Sequence, residues 1–379
     1  MNKSSDLMAV VHVITGLSDG GAEGALFRLV AHDGNLNHCV VSLMDLGKYG
    51  PLLRSRGVEV ICLQMPRGRV TLTGLLGLWR LLRRNRAAVI QTWMYHADLI
   101  AGVVARLAGC KRVYWNVRHS TLEKGKTRRS TLLVAKVCAV LSRYVPAGIV
   151  FCAEASIRSH MALGYSCKLM TVIPNGYDLA RFSPLPDARV SLRFCQAIED
   201  DVFLVGMVAR FDSQKDHENL LAALSKLRIP LDRWKAVLVG AGIDSDNTGL
   251  VQRLAELSLT KNVLLLGQRN DIPSIMSSLD VHILSSSTEG FPNVVAEAMA
   301  CGVVCVVTDV GDAREIVGET GWVVEARRSD LLAGAIDEAF VQWQDPAIWK
   351  ARKDMARARI QDRYDISGMI QRYHEVWER

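Results

Sequence analysis

Short, unbroken apolar runs recur along the chain, and between them lie longer stretches whose apolar positions return at helical spacing. MAVVHVI, HCVVSLM, VEVICLQM, AVIQTW, RVYWNVR and GIVFCA form one set of runs, and VFLVGMVAR, KAVLVGAG, NVLLLGQ, VHILSS, VVCVVT and GWVVEA a second. A strand covered on both faces reads as a continuous apolar run, and its alternation with helices builds a parallel sheet. The pattern therefore predicts an α/β protein with two Rossmann-like, doubly wound domains. Between the two sets, VIPNGYDLARFSPLPDARVS gathers Pro174, Asn175-Gly176, Pro184 and Pro186, the breakers of a linker, and places the hinge at 175–186. The expected limits are 1–178 for the first domain and 179–364 for the second. A C-terminal helix, 365–379, has no strand of its own to cover and is expected to pack back toward the first domain.

Length and composition agree with this division. A chain of 379 residues exceeds what one core usually organises, and 49% hydrophobic with 22% charged residues is ordinary for a globular protein. No apolar run reaches the 18 residues of a membrane-spanning candidate, because Lys136, Arg143 and Glu297 interrupt the longest ones. The N-terminal apolar run ends too soon, at Gly16, for a secretory signal, so a cytoplasmic location is expected. The nine cysteines are scattered, with no Cys-x-x-Cys and no neighbouring histidine at zinc-ligand spacing, and are read as reduced thiols.

Charge changes the picture more. Residues 1–180 hold 23 basic against 10 acidic residues, while 181–379 hold 23 against 29. Most of the excess lies in 51–150, where 18 basic residues face 3 acidic ones. TLTGLLGLWRLLRRNR and KGKTRRSTLLVAKVCAVLSRY mix these cations with Leu and Trp, a pattern suited to an anionic membrane surface. No nucleic-acid-binding motif accompanies the charge, so nucleic acid is not an expected partner.

Candidate chemistry sits where predicted strands give way to helices, the positions at which doubly wound sheets bind ligands and helix N-termini offer N–H groups to anions. SSSTEGFPNVVAEAMACG carries Glu289 before a Gly290-Phe291-Pro292-Asn293 turn and Glu297 on the helix that follows. A carboxylate at the turn suits sugar hydroxyls, one on the helix suits a ribose diol, and free N–H groups remain for phosphate. VGMVARFDSQKDHENLL sets Arg210 at a strand end and Lys215 before a helix, a fork and a point charge for a diphosphate. ITGLSDGGAEGALF puts Gly20-Gly21 at the first strand-to-helix turn without the spacing of a dinucleotide fingerprint, which disfavours a nicotinamide dehydrogenase.

Taken together, GGAE, RFDSQKDH, VIPNGYDLARFSP and EGFPNVVAEAMACG occur in order over almost the whole chain, and the sequence resembles a GT-B fold glycosyltransferase of family four. The resemblance implies two domains facing a cleft and a retaining, metal-independent transferase. By the family pattern Arg210 and Lys215 hold the donor diphosphate, Glu289 the donor sugar and Glu297 the ribose. Gly20, Gly21, Gly290, Phe291, Asn293 and Val294 complete the nucleotide-sugar site. His119 matches the family's histidine near the transferred sugar and joins Arg210, Lys215 and Glu289 as a catalytic residue. His96, like His119, stands on the acceptor or sugar side. Two departures are visible: Asp216 stands where Gly commonly follows the lysine, and Val304 where Pro is common.

The resulting expectation is a hexose or N-acetylhexosamine transferase that uses a nucleotide-diphosphate sugar, a UDP-sugar foremost, and extends a lipid-linked glycan in surface polysaccharide synthesis. It would work peripherally at the inner face of the cell membrane, with no metal or other cofactor. Asp244-Ser245-Asp246 resembles a metal motif but reads as a turn. The rivals are a GT-B nucleotide-sugar epimerase, which needs no glycan acceptor, and a non-catalytic membrane-associated assembly protein.

Overall fold

The computed structural model describes residues 9–118, 129–167 and 170–379. The chain forms two compact units, Met1–Gly176 with Ile366–Arg379, and Tyr177–Asp365. In the first, β1 (Ala9–Ile14), α1 (Gly21–His32), β2 (Asn37–Ser42), α2 (Tyr49–Ser55), β3 (Glu59–Cys62), α3 (Leu72–Arg84), β4 (Val89–Trp93), α4 (Tyr95–Leu107), β5 (Val113–Val117), α5 (Arg129–Leu141), β6 (Gly148–Phe151), α6 (Glu154–Leu163) and β7 (Met170–Val172) alternate along the chain. Their strands pair in parallel in the order β3-β2-β1-β4-β5-β6-β7. β1, β4 and β5 are fully buried apolar strands wherever their side chains are described, apart from His12, Gln91, Thr92 and Asn116. β7 is a strand the apolar pattern did not reveal, because its three residues lie against the Pro174 breaker and form only an edge.

The second unit contains α7 (Pro186–Cys195), β8 (Phe203–Val208), α8 (His217–Leu224), β9 (Trp234–Val239), α9 (Thr248–Glu256), β10 (Val263–Leu265), α10 (Ile272–Ser278), β11 (Val281–Leu284), α11 (Asn293–Ala300), β12 (Val304–Thr308), α12 (Ala313–Val317), β13 (Trp322–Val324), α13 (Ser329–Trp343) and α14 (Pro346–Tyr364). The parallel order is β10-β9-β8-β11-β12-β13. Alternate residues of β8, Phe203, Val205 and Met207, face one side of this sheet and join Trp234, Leu238, Ile336 and Phe340 in a core. Arg193 of α7 is buried against Asp280 at 2.8 Å, and the same carboxylate accepts the Leu204 N–H, which ties α7 to the start of β8.

The terminal helices divide between the units. Asp345 caps α14 by accepting the N–H groups of Ala347 and Ile348. α14 packs on α11 and α13, and Arg357 donates to the Ala300 carbonyl at the end of α11. Asp365 is extended and pairs with Tyr177 in an isolated bridge, and the chain then enters α15 (Ile366–Trp377). α15 inserts Tyr373 and Trp377 into the first unit's core beside Ile14, Val89 and Trp93. Trp377 Nε1 donates to Gln91 Oε1 at 2.9 Å, and Asn116 Nδ2 donates to the Tyr373 hydroxyl at 2.6 Å.

Candidate functional site

Strand order locates the site in each unit. In the first sheet successive connections leave β1 on one side toward β2 and on the other toward β4, and in the second they leave β8 toward β9 and β11. Such reversals open a crevice at the carboxyl ends of the two central strands, where open α/β sheets bind ligands. Gly20 and Gly21 follow β1 and His96 follows β4. Arg210 and Lys215 follow β8, and Glu289 and Glu297 follow β11. β11 stops at Leu284, and the Glu289 carboxylate stands on the loop that leads into α11.

In the second unit Lys215 Nζ lies 2.6 Å from Glu289 Oε1, joining residues 74 positions apart, with side chains 19% and 12% exposed. The pair is screened enough to be strong and open enough to be reached. Ser286 Oγ donates to the same Oε1 at 2.7 Å. Arg210 is more exposed, at 61%, and its Nε lies 3.2 Å from Asp212 Oδ2. Asp212, one of many turn carboxylates along the chain, is held below the usual carboxylate range by the Gln214 N–H, by the Arg210 guanidinium and by the charge of Lys215. Two glycines set these loops. A Cβ on Gly240 would lie 2.0 Å from the Ala209 carbonyl oxygen, directly before Arg210. A Cβ on Gly311, whose φ is +56°, would lie 2.2 Å from the Gly290 oxygen, and Asp312 N–H donates to that oxygen.

Asp216 explains one departure from the family pattern. It caps α8 in the left-handed conformation (φ 50°, ψ 54°) with its carboxylate accepting the Asn219 N–H at 3.2 Å. A position that needs positive φ suits Gly, and Asp is one of the few other residues that adopts it readily.

On α11 all residues are buried except Asn293, Val294 and Glu297, so these three form its accessible strip. Asn293 Oδ1 accepts from the Tyr177 hydroxyl at 2.7 Å, a contact from the expected hinge that sequence reading missed. Phe291 is buried, its ring edge-on against Tyr364, and its backbone forms part of the turn before α11. His217 and His282 lie beneath this region. Burial, aided by Lys215, holds His217 down to about 4 and His282 to about 3.

In the first unit Gly20 is the extended N-cap of α1, and the Glu23 carboxylate folds back over it, 2.3 Å from where a Gly20 Cβ would stand. Burial raises the Glu23 carboxyl above its ordinary value. His96 is the second residue of α4, half-buried, and burial lowers its pKa and keeps it neutral. Met94, just before it, holds φ 72° and ψ 155°, a region essentially reserved for glycine, and strain of this kind gathers at functional sites. Below Met94, Asp98 is fully buried with its carboxyl pushed well above the usual range, 2.5 Å from Thr92 Oγ1. His119 lies outside the described residues. Asp244 and Asp246 form a turn in which Asp244 Oδ1 accepts the Asp246 N–H, and among the described residues no group of three or more His, Cys, Asp or Glu side chains is placed to hold a metal.

Comparison with known proteins bears on this arrangement. The model described as Glycosyltransferase Family 4 matches residues 19–181, and that described as Glycosyl transferases group 1 matches 190–360, so the two divide between them almost the whole chain. The chain belongs to the glycosyltransferases. It is similar to the UDP-Gal:alpha-D-GlcNAc-diphosphoundecaprenol alpha-1,3-galactosyltransferase of Escherichia coli, with 25% identity over 80% of this chain and 78% of that protein. A Campylobacter jejuni N-acetylgalactosamine-N,N'-diacetylbacillosaminyl-diphospho-undecaprenol 4-alpha-N-acetylgalactosaminyltransferase is 33% identical over 43% of this chain and 44% of its own length. Among solved structures, Anabaena Alr3699/HepE in complex with UDP superposes with a TM-score of 0.84 at 24% identity, covering 98% of this chain and all of that one. The glycosyltransferase thus has the two parallel-sheet α/β domains of its GT-B neighbours.

Proposed function

We propose that this glycosyltransferase transfers a hexose or N-acetylhexosamine from a UDP-sugar to a lipid-linked glycan in bacterial surface polysaccharide synthesis, with retention of configuration and without a metal. The observation that carries the donor half is the Lys215–Glu289 pair at the switch point of the second sheet, with Arg210 and Asp212 on the same loop as Lys215. Lys215, Arg210 and the N–H groups that open α11 supply positive potential for the charge that grows on the departing diphosphate. Glu289 accepts from the transferred sugar's hydroxyls and Glu297 from the ribose. No side chain is assigned as nucleophile: the leaving diphosphate takes the proton of the attacking hydroxyl on the same face of the sugar. The relatives' undecaprenol-linked acceptors and the UDP of the structural neighbour support the choice of substrates.

The acceptor's lipid suggests where the enzyme works. α5 exposes Leu133, Val137 and Val140, with Tyr144 in the turn beyond, along one helical stripe among Arg129, Lys136 and Arg143. α3 exposes Leu72, Leu76 and Trp79 beside Arg80 and Arg84, and α4 packs between these two helices. Apolar stripes edged by cations suit an anionic lipid surface at the inner face of the cell membrane. Among the described residues no helix is long and apolar enough to cross the membrane.

The donor reading is tested by sugar transfer from a panel of UDP-sugars to an undecaprenyl-diphosphate glycan, with and without EDTA. Lys215→Ala and Arg210→Ala are each expected to lose about 2.7–4 kcal/mol of transition-state stabilisation, read as kcat at saturating donor. Near-normal turnover by either folded variant refutes the diphosphate assignment, and loss of wild-type activity on chelation with recovery by magnesium or manganese refutes metal independence.

A further inference from the structure

Three consecutive serines, Ser285 to Ser287, leave β11 and lead to Glu289, and their contacts alternate. Ser285 Oγ lies 2.9 Å from the Lys215 carbonyl oxygen and 3.1 Å from that of Asp216. Ser287 N–H donates to the Gln214 carbonyl at 2.8 Å. The outer two serines therefore fix the backbone that carries Lys215. The middle one turns to the other partner: Ser286, fully buried, places its hydroxyl on Glu289 Oε1, the oxygen that Lys215 also reaches. The Ser286 carbonyl is in turn held by Thr308 Oγ1 at 2.7 Å, at the end of β12.

We propose that Ser286 is a positioning residue that sets the plane of the Glu289 carboxylate and so decides how the transferred sugar is gripped. This deepens the donor reading above and rests on it. A carboxylate tied only to a lysine can swivel, because an ammonium is a point charge on a flexible stem. A second donor on the same oxygen removes that freedom and aims the carboxylate at the sugar. The Ser286 hydroxyl is bound to Glu289, the residue assigned to the sugar, so its influence should fall first on the sugar.

The test separates sugar from nucleotide. UDP, which has the diphosphate without the sugar, is titrated by calorimetry against wild type and Ser286→Ala, and kcat/KM is measured with the UDP-sugar that wild type uses best. Ser286→Ala is expected to bind UDP as wild type does and to lose about ten-fold or more in kcat/KM, the worth of one hydrogen bond to a charged group. Ser286→Thr, which keeps the hydroxyl, should recover part of the loss. Thr308→Val, which frees the Ser286 carbonyl, should show the same split in weaker form and replaces Ser286→Ala if that variant does not fold. Equal losses for UDP and UDP-sugar, no loss at all, or no recovery by Ser286→Thr overturn the positioning role while leaving the donor site standing. A wild-type protein that binds no UDP and turns over no UDP-sugar overturns the donor reading and the role of Ser286 with it.

Discussion

His282 lies in the middle of β11, fully buried, and neither ring nitrogen has a hydrogen-bond partner among the described residues. It stays neutral because burial makes the charged form expensive, and Lys215 adds to the effect. The linkage has a definite sign. In the unfolded chain the imidazole takes a proton below about pH 6.5, whereas in the folded protein it does so only near 3. Its contribution to stability is therefore complete above pH 6.5 and is lost as the pH falls from there toward 3. His217, held down to about 4, adds to the same loss. In urea melts between pH 7 and 4.5, His282→Leu is expected to reduce the slope of unfolding free energy against pH by up to about 1.4 kcal/mol per unit in the acid range. The substitution also removes two unpaired polar atoms, so stability at pH 7 should hold or rise. An unchanged slope would show that His282 is not the group that titrates. Nothing in the sequence marked this residue, since one histidine in an apolar run looks like any other.

At the scale of elements, the twelve long apolar runs were legible because a strand buried on both faces has no polar position to interrupt it. β7 escaped because its residues run straight into VIPNGYD, read as linker, whereas β10 and β13, equally short edge strands, stand inside the longer runs NVLLLGQ and GWVVEA. The charged residues of the candidate site drew attention for a different reason: Arg210, Lys215, Glu289 and Glu297 fall after predicted strands, where a charge has no business in a core. Ser286 and Asp212 did not, because a hydroxyl in a serine run and a carboxylate in a turn are common. Their partners are near in sequence, Arg210 and Gln214 for Asp212 and Glu289 for Ser286, but which side chains meet depends on how each loop turns. What holds the loop after β11 in place is Gly311, on the loop after β12. Gly311→Ala should displace the Glu289–Gly290 turn, cost about 1–3 kcal/mol of stability and lower donor kcat/KM at least ten-fold. Gly334→Ala, in α13 with open space around its missing Cβ, serves as the contrast. It should stabilise by about 0.5–1 kcal/mol with activity unchanged. If melting curves and kinetics do not separate the two variants, the glycine at 311 is not what shapes the site.

For the whole molecule the uneven charge is the dominant feature, and the cationic surface of the first unit is where it can act. Arg83 Nη1 donates to the Ala108 carbonyl and ties α3 to α4, so a clean charge reversal uses Arg80, Arg84 and Arg86. With these three changed to glutamate, sedimentation with vesicles of anionic lipid should fall sharply, while UDP affinity, which the proposed function assigns chiefly to Arg210 and Lys215, should not move. Each such cation near a charged bilayer contributes about 1 kcal/mol, and binding by wild type should weaken as salt is raised. Equal sedimentation with neutral and anionic vesicles would leave these arginines as a solvated face. The division of the chain has a consequence in time. Tyr373 and Trp377, which complete the core of the first unit, follow the whole of the second unit along the chain. Synthesis at roughly 5–20 residues per second must pass through the entire second unit before they emerge, an interval on the order of 10–40 s. Throughout that interval the nascent first unit presents an open apolar seam beside β1 and β4, a surface for chaperones that α15 then closes like a stopper.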